Sequence, residues 1–131
     1  MVVDDEPSVL SMTARILRMK CGYEANTALS GEVALTMHPL DHVLIITDVV
    51  MGNGMTGFDL ARQILALADQ AGQAPPSIIV RSGQLLPNGE KTIEALKEDR
   101  KEGTISFLAK PCDNQELIAA VKAAIEAVKN G

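Results

Sequence analysis

The chain has 131 residues, a net charge of −5 and 47% hydrophobic residues, which predicts one domain over residues 1–131 that buries roughly two thirds of its unfolded surface. The acidic balance and an aromatic content of only 2% argue against direct nucleic-acid binding, which relies on basic stripes and stacking aromatics. No apolar run approaches the ~20 residues of a membrane span, no signal peptide is recognisable and the two cysteines have no metal-binding spacing, so a reduced cytoplasmic protein is expected.

The first part of the chain predicts a strand, a helix and a second strand. A short strand ends at Val3, and Pro7 stands where the first residue of a helix tolerates proline. Apolar residues at spacings of three and four give this helix an apolar stripe through about Cys21, formed by Val9, Met12, Ile16 and Met19. Gly22 is a suitable stop for the helix, and an edge-like strand over 23–28 follows.

The stretch that ends at Asp48 is the centre of the pattern. Ser30 is placed to cap a short helix that ends before His38-Pro39. The strand at 43–47 then begins with four apolar residues in a row, which is typical of a strand buried on both faces of a parallel sheet. Asp48 follows at once, where a carboxylate is well placed for ligand chemistry and poorly placed for core packing.

The next stretch continues the alternation of helix and strand. A helix from about Gly57 has an apolar face made by Leu60, Ile64, Leu67 and Ala71. Strands are predicted over 77–81 and 105–109. A turn at 87–89 and a polar helix over about 90–101 lie between these two strands.

The last predicted helix starts at a capping-box pattern, Asp113 and Glu116, and runs to about Lys129. Five strands therefore alternate with five helices, which specifies a parallel sheet covered on both faces with right-handed crossovers. The expected architecture is α/β, a flavodoxin-like (βα)5 doubly wound five-stranded sheet, and the order 2-1-3-4-5 is chosen partly by analogy with that fold.

Four of the predicted strands end next to polar side chains. Asp4 and Asp5 follow the first strand, Asp48 the third, Ser82 the fourth and Lys110 the fifth. Since parallel strands share one carboxyl edge, we expect three carboxylates, a hydroxyl and an ammonium in one shallow pocket. Two like charges at ~4 Å repel by ~4 kcal/mol at an effective dielectric near 20, so the pocket needs a cation or a carboxyl group that keeps its proton.

Oxygen-only ligands favour a hard cation such as Mg²⁺, which uses few carboxylates and keeps several waters. A part-filled magnesium shell beside Lys110 and Ser82 suits a phosphoryl group, because the metal and the ammonium neutralise charge and the hydroxyl donates a hydrogen bond. Asp48 can then act as the nucleophile. Taken alone, each residue also has a structural interpretation as a helix-end, loop-capping, turn or solvated residue, but their joint placement favours chemistry.

The loop after Asp48 contains a second pattern, Gly52-Asn53-Gly54-Met55-Thr56-Gly57, which matches the G-x-G-x-x-G of dinucleotide-binding turns. That hypothesis also needs the first βα turn and an acidic residue about 20 positions further on. Here the pattern is on the third turn, and the next strand ends in Arg81-Ser82. We therefore interpret the glycines as permitting a tight loop beside Asp48.

Taken together, the motifs resemble the receiver domain of two-component response regulators across essentially the whole chain, 1–131. The residues that carry the resemblance are Asp4-Asp5-Glu6, Asp48 with Met51, Gly57, Ser82 and Lys110-Pro111. The glycine-rich loop after Asp48 is also similar to that of receivers fused to hybrid sensor histidine kinases.

The resemblance implies that Asp48 accepts a phosphoryl group from a phosphohistidine on a partner, either a histidine kinase or a histidine phosphotransfer domain. It further implies that Asp5, Asp48 and the backbone carbonyl of Val50 ligate Mg²⁺, with Asp4 contributing directly or through water. It implies no direct contact with nucleic acid or membrane and allows a homodimer. The domain would be a phosphoacceptor that assists its own phosphorylation, and not an enzyme, although a parent chain could be a histidine kinase.

The resemblance also implies a switch. Lys110 would pair with the phosphoryl oxygens, Ser82 would move to hydrogen-bond them, and Phe107 would swing into the vacated space. These movements would couple chemistry at Asp48 to the face built from helix 4, strand 5 and helix 5, since a phosphoryl group adds charge and acceptor oxygens.

Several positions depart from the family pattern. The first strand is short before the acidic pair, Gly52 stands where the family often has proline, and Cys112 stands where a large apolar residue is common. Val50 and Gln84, two positions beyond the acceptor and the switch hydroxyl, occupy places that influence attack by water. An apolar Val50 cannot orient a water, so we expect slow self-hydrolysis of the phosphoryl group.

Two alternatives remain open beside the phosphoacceptor. An aspartyl-phosphate hydrolase of the haloacid dehalogenase type needs a second aspartate two residues after the nucleophile, where this chain has Val50. A pseudo-receiver, which binds partners without cycling, is disfavoured by the intact set of pocket residues.

Overall fold

All five strands run parallel in one sheet, in the order β2-β1-β3-β4-β5, which confirms the predicted flavodoxin-like α/β architecture. The structure is a computed structural model that describes residues 1–52, 54–83, 89–98, 100–101, 103–110 and 112–129. The strands are β1 (Val2–Val3), β2 (Thr27–Ala28), β3 (Leu44–Asp48), β4 (Ser77–Ser82) and β5 (Ile105–Ala109). The second strand is shorter than the predicted 23–28, because only its last two residues pair with β1.

Five α-helices cover the sheet: α1 (Pro7–Ile16), α2 (Gly31–Thr36), α3 (Gly57–Ala71), α4 (Gly89–Lys97) and α5 (Asn114–Lys129). One core layer packs α2, α3 and α4 on the sheet, and a second packs α1 and α5 on its other face. Within the described ranges, no helix combines the length and the apolarity that crossing a membrane requires. The predicted turn residues 87 and 88 lie outside the described residues, as does part of the predicted helical range 90–101.

The helix ends follow from local chemistry. The Ser30 hydroxyl accepts the Val33 N–H at 3.1 Å and caps α2, as predicted. Gly22 adopts a left-handed conformation with φ 74° after α1 has continued as a π-helical turn, Leu17–Cys21. At α5 the Asp113 carboxylate accepts the Glu116 N–H at 2.8 Å, which places the start of this helix where the capping pattern predicts it.

The predicted apolar stripe of α1 is correct only in part, because Val9 and Ile16 are half-buried and Ile16 packs on the core layer under α1 and α5, but the two methionines do not. Met12 and Met19 are 63% and 61% exposed, whereas the buried positions are Leu10, Thr13 and Leu17. The helix carries apolar residues on two faces, and its branched leucines, rather than its methionines, face the sheet. The stripe of α3 needs a smaller correction of the same kind.

On α3 the predicted positions Leu60 and Ile64 are fully buried, but Leu67 is 39% exposed. Ala71 is exposed as well. The buried face continues instead through Leu65 and Ala68. The buried face of α3 therefore follows Leu60, Ile64 and Ala68, which are four residues apart, and does not extend to Leu67 and Ala71 as predicted.

The third strand is central, as predicted, but it runs over Leu44–Asp48 instead of 43–47, and Val43, the first residue of the predicted apolar run, is 53% exposed. Ile45 and Ile46 are 0% and 1% exposed, and β3 pairs with β1 on one side and with β4 on the other. Burial on both faces and pairing on both edges fix the direction of this strand. Its last residue, Asp48, therefore emerges at a well-determined place on the carboxyl edge of the sheet.

Candidate functional site

Three carboxylates meet at the carboxyl edge of the sheet. Asp4 and Asp5 follow β1, and Asp48 ends β3, the strand that pairs with β1 through the register Val3 to Thr47. One oxygen from each of the three carboxylates lies within 4.8 Å of the others. The three predicted metal-binding aspartates are thus brought together, in a cluster that we call the acidic pocket.

Lys110 is the cation of the acidic pocket. Its ammonium Nζ lies 3.2 Å from Asp48 Oδ1 and 3.7 Å from Asp4 Oδ2. The lysine stands directly after β5, and its backbone N–H donates to the Ser82 carbonyl at 2.8 Å. That bond joins the ends of β4 and β5, so it fixes the backbone of Lys110 relative to the backbone of Ser82.

Asp4 is the most enclosed member of the pocket, with 3% of its surface exposed. Burial raises the pKa of this carboxyl above its ordinary value, and the neighbouring charges of Asp48 and Asp5 act in the same direction. The Glu6 N–H, which donates to Asp4 Oδ1 at 3.0 Å, and the Lys110 ammonium oppose that rise in pKa. The pocket therefore holds more negative charge than its own lysine balances.

Asp48 is held by the backbone and remains reachable. The Val49 N–H donates to Asp48 Oδ1 at 3.0 Å, which orients the carboxylate. The Asp48 side chain is 16% exposed, so a molecule at the pocket mouth can contact it. An oriented, accessible carboxylate next to an ammonium is the arrangement expected of a nucleophile that receives an anionic group.

The loop after Asp48 closes on itself at Gly57. The Gly57 N–H donates to the Val49 carbonyl at 2.8 Å. A Cβ atom at position 57 would collide with the Asp48 backbone carbonyl, so only glycine fits at this close approach. Thr56 and Asp59 form a reciprocal capping box that starts α3 immediately beyond.

The other predicted site residues lie on the same edge or just below it. Ser82 is buried at the end of β4, with 6% of its surface exposed. Phe107 is half-buried on β5 beside Val80, and it packs against the core layer under α3 and α4. Val50 has a 55% exposed side chain in the loop after Asp48, and the position of Gln84 lies outside the described residues.

Two features of the loop were missed from the sequence or only noted there. Gly52 has φ 63°, a left-handed conformation that glycine adopts freely and proline cannot adopt. The Glu32 carboxylate accepts the Met55 N–H at 2.8 Å, across 23 positions of the chain. The sequence near Glu32 does not predict that contact, because a glutamate in the first turn of a helix is ordinarily explained by its favourable interaction with the helix dipole.

The donor set fits a hard divalent cation. All the acidic groups offer oxygen ligands, one of them is buried, and the single lysine leaves the cluster net negative. Mg²⁺ binds such sites through one or two carboxylates and keeps water in its remaining positions. The residues present therefore agree with the magnesium site predicted from the sequence.

Comparison with known proteins gives a consistent picture. A profile of the family described as "Response regulator receiver domain" matches residues 1–122. The curated heme response regulator HssR of Staphylococcus aureus (strain Newman) is 29% identical over 125 residues, which cover 95% of this chain and 50% of that protein. The chain thus spans about half the length of the curated relative that it matches.

Solved structures agree with the family profile. The chemotaxis protein CheY4 of Vibrio cholerae is 26% identical, with a TM-score of 0.74 and 94% of each chain covered. The signal receiver domain of a signal transduction histidine kinase from Syntrophus aciditrophicus is 25% identical, with a TM-score of 0.78, and the likeness covers 99% of this chain and 91% of that one.

Proposed function

The chain belongs to the response regulator receiver domain family, and from that membership we propose that it is a phosphoacceptor module of a two-component phosphorelay in which Asp48 is the acceptor. The observation that carries the proposal is the Lys110 ammonium, 3.2 Å from Asp48 Oδ1, inside a cluster of three carboxylates. The donor is a phosphohistidine on a histidine kinase or a histidine phosphotransfer domain.

The transfer exchanges one bond to phosphorus for another. A carboxylate oxygen of Asp48 attacks the phosphorus, the phosphorus–nitrogen bond to the donor imidazole breaks, and the imidazole nitrogen keeps the electron pair and takes up a proton. The Val49 N–H keeps the attacking carboxylate in one orientation. The Lys110 ammonium stabilises the charge on the equatorial phosphoryl oxygens.

Asp4, Asp5 and Asp48, with the backbone carbonyl of Val50, would hold Mg²⁺ in this proposal. The bound ion supplies charge neutralisation that the single lysine cannot provide for three carboxylates and a phosphoryl group. Before the donor arrives, Asp4 remains buried with its carboxylate oxygen on the Glu6 N–H, which fixes one side of the site.

The output is a change of the face formed by α4, β5 and α5. Ser82 would hydrogen-bond the new phosphoryl oxygens, and Phe107 would move inward behind it. The bond from the Lys110 N–H to the Ser82 carbonyl supports this coupling, because the two residues that contact the phosphoryl group are joined directly. Phe107 is half-buried at the core layer under α4, where a rotation changes the packing of that helix.

The context of the module is part of the proposal. We infer a cytoplasmic receiver, either from a response regulator or from a hybrid sensor histidine kinase, that works as one unit over 1–131 and can pair as a homodimer. It is a phosphoacceptor rather than an enzyme with a free substrate. The exposed apolar side chain of Val50 beside the acceptor supports slow self-hydrolysis, since it offers no group to orient water.

The test is incubation with acetyl phosphate and Mg²⁺, followed by intact-mass measurement. We expect the mass gain of one phosphoryl group, absent after Asp48→Asn and retained after Asp59→Asn, a matched aspartate in the first turn of α3. A gain that survives Asp48→Asn contradicts the assignment of the acceptor. A folded protein that binds Mg²⁺ but gains no mass is the pseudo-receiver, and steady turnover of a phosphoester indicates the hydrolase.

A further inference from the structure

The loop beside the acceptor is tied to a helix that takes no part in the site described above. Glu32, in the first turn of α2, accepts the Met55 N–H through Oε1 at 2.8 Å. Met55 is two residues before Gly57, which packs against the Asp48 carbonyl. The bond from Glu32 therefore acts on the returning arm of the loop that begins at the acceptor.

The two partners fit each other closely at this tie. A Cβ at Gly31 would lie 2.7 Å from the Met55 sulfur, and a Cβ at Gly54 would lie 3.0 Å from Glu32 Oε1. Both distances are shorter than ordinary van der Waals contact, so glycine on each side allows the loop and the start of α2 to touch. Three contacts thus hold the loop on α2: the hydrogen bond, Met55 over Gly31, and Glu32 over Gly54.

The electrostatic signature of Glu32 agrees with a persistent bond. The Met55 N–H, followed by the backbone N–H of Glu32 itself and the Ser30 hydroxyl, lowers the pKa of this carboxyl below its ordinary value. A charged acceptor makes the stronger form of this hydrogen bond. Glu32 therefore accepts the Met55 N–H as a charged carboxylate at neutral pH.

We propose that Glu32 is a positioning residue for phosphorylation: by holding the Met55 N–H, it keeps the loop after Asp48 in the conformation that presents the Val50 carbonyl to Mg²⁺. The proposal rests on the proposed function, since it assigns Glu32 a role in the same site. Glu32 itself touches neither the acceptor nor the metal. Its effect is on the fraction of molecules whose loop is ready to bind the ion.

The expected effect follows from that fraction. If the tie is lost and the competent loop conformation falls to about one fifth of the molecules, the apparent Mg²⁺ affinity falls about fivefold. The rate of phosphorylation at saturating Mg²⁺ stays within about twofold, because bound metal selects the competent loop. A merely structural loss would instead lower both quantities, together with the stability of the fold.

The experiment compares Glu32→Ala with Glu32→Gln, which keeps an acceptor oxygen without the charge. Mg²⁺ is titrated alone by calorimetry, and phosphorylation by acetyl phosphate is measured over a range of Mg²⁺ concentrations. Glu116→Ala is the matched control, because Glu116 is also an exposed glutamate in the first turn of a helix. We expect Glu32→Ala to weaken Mg²⁺ binding about fivefold, Glu32→Gln to weaken it less, because the neutral acceptor makes the weaker bond, and the control to stay near wild type.

A second variant makes the test independent of the glutamate. Gly54→Ala places a Cβ 3.0 Å from Glu32 Oε1, so it should weaken Mg²⁺ binding in the wild type and add nothing in the Glu32→Ala background. Equal losses in Glu32→Ala and Glu32→Gln overturn the proposal in favour of a charge effect. Wild-type affinity in Glu32→Ala overturns it outright.

Failure of the proposed function has a different signature. Wild-type protein that neither binds Mg²⁺ nor gains a phosphoryl group removes the function, and the positioning role falls with it. Hydrogen exchange of the Met55 amide then shows whether the tie itself exists, because Glu32→Ala should speed that exchange in either case. Unchanged exchange with normal phosphorylation refutes the tie alone.

Discussion

Two clusters of charged side chains on this molecule differ in the balance between their positive and negative groups. At the carboxyl edge, Lys110 faces both Asp48 and Asp4, at 3.2 and 3.7 Å, with Asp5 close by. Away from that edge, Arg100 meets Asp69 through two hydrogen bonds of 2.9 and 2.8 Å. The first cluster has an excess of carboxylates and buries one of them, whereas the second pairs one cation with one exposed carboxylate.

The shifts of pKa carry the same contrast. Burial raises the pKa of Asp4, and the Arg100 guanidinium lowers the pKa of Asp69. A raised pKa means that the fold disfavours the charge, and a lowered one means that the fold favours it. The charge of Asp4 in the acidic pocket therefore lowers the free energy of unfolding, whereas the charge of Asp69 beside Arg100 raises it.

The largest expected effect comes from removing the only cation described in the acidic pocket. Lys110→Ala should slow phosphorylation by acetyl phosphate about 100-fold, because the transferring oxygens lose a preorganised partner. Lys101→Ala is the control, since Lys101 donates to the Ala127 carbonyl at 2.9 Å and has no part in the pocket. The rate is measured by intact mass over time. A Lys110 variant as fast as the control would break the contrast between the two clusters.

The second prediction tests whether the close approach of Gly57 to the Asp48 carbonyl, which involves no charged side chain, contributes to the stability of the fold. Gly57→Ala drives a Cβ into the Asp48 carbonyl, and we expect a loss of about 2 kcal/mol in the free energy of unfolding from this overpacking. Denaturant unfolding measures it. Gly83→Ala is the control, because Gly83, like Gly57, has no positive φ, and a Cβ there would meet only the Lys110 Cβ at an ordinary 3.7 Å. Equal losses at the two glycines would argue against the collision.

The third prediction has the opposite sign. Asp4→Asn keeps an oxygen for the Glu6 N–H but removes the buried charge, so it should raise the free energy of unfolding at neutral pH by about 1 kcal/mol. Mg²⁺ binding should weaken in the same variant, because one carboxylate of the acidic pocket is gone. Unfolding is followed by denaturant titration, and binding by calorimetry. A destabilised variant would show that Asp4 is well compensated.

The pH dependence of that gain has a definite direction. The pKa of Asp4 is raised in the fold, so the wild type recovers stability as the pH falls through the folded value and Asp4 takes up a proton. The advantage of Asp4→Asn should therefore be largest near neutrality and vanish below the ordinary pKa of an aspartate. An advantage that grew toward acid pH would contradict the raised pKa.

The smallest effect concerns Asp69. Asp69→Asn should destabilise the fold slightly at neutral pH, because its pKa is lowered by Arg100 and its charge is favoured. The loss is full above the ordinary aspartate pKa and disappears as the pH falls through the lowered folded value. Measured by the same titration, the two aspartate variants should give differences from wild type of opposite sign. If both variants changed the free energy of unfolding in the same direction, the proposed contrast between the charges of Asp4 and Asp69 would be wrong.

The positions of the pocket residues could be predicted because they depend on strand order alone. Once the sheet runs 2-1-3-4-5, residues at the carboxyl ends of β1, β3 and β5 must share an edge, and Asp4, Asp48 and Lys110 do. The apolar run before Asp48 indicated a buried parallel strand, which is what the structure has at β3. These predictions needed no knowledge of side-chain packing.

What depended on packing was predicted less well. The methionines of α1 satisfy helical spacing as well as the leucines do, and only contact with the sheet decides in favour of Leu10 and Leu17. Periodicity alone cannot choose between two apolar faces of one helix. The tie between Glu32 and Met55 was missed for a related reason, because it depends on a contact between the start of α2 and a loop 23 positions further along the chain.

The bond between the Gly57 N–H and the Val49 carbonyl has a consequence for the loop after Asp48. It brings the two ends of the loop together immediately beyond Asp48. Residues added or removed between Met51 and Thr56 would therefore change the size of the loop without moving its ends. A change of length in this loop would therefore alter the surface beside Asp48, while the position of the Asp48 carboxylate at the end of β3 would stay the same.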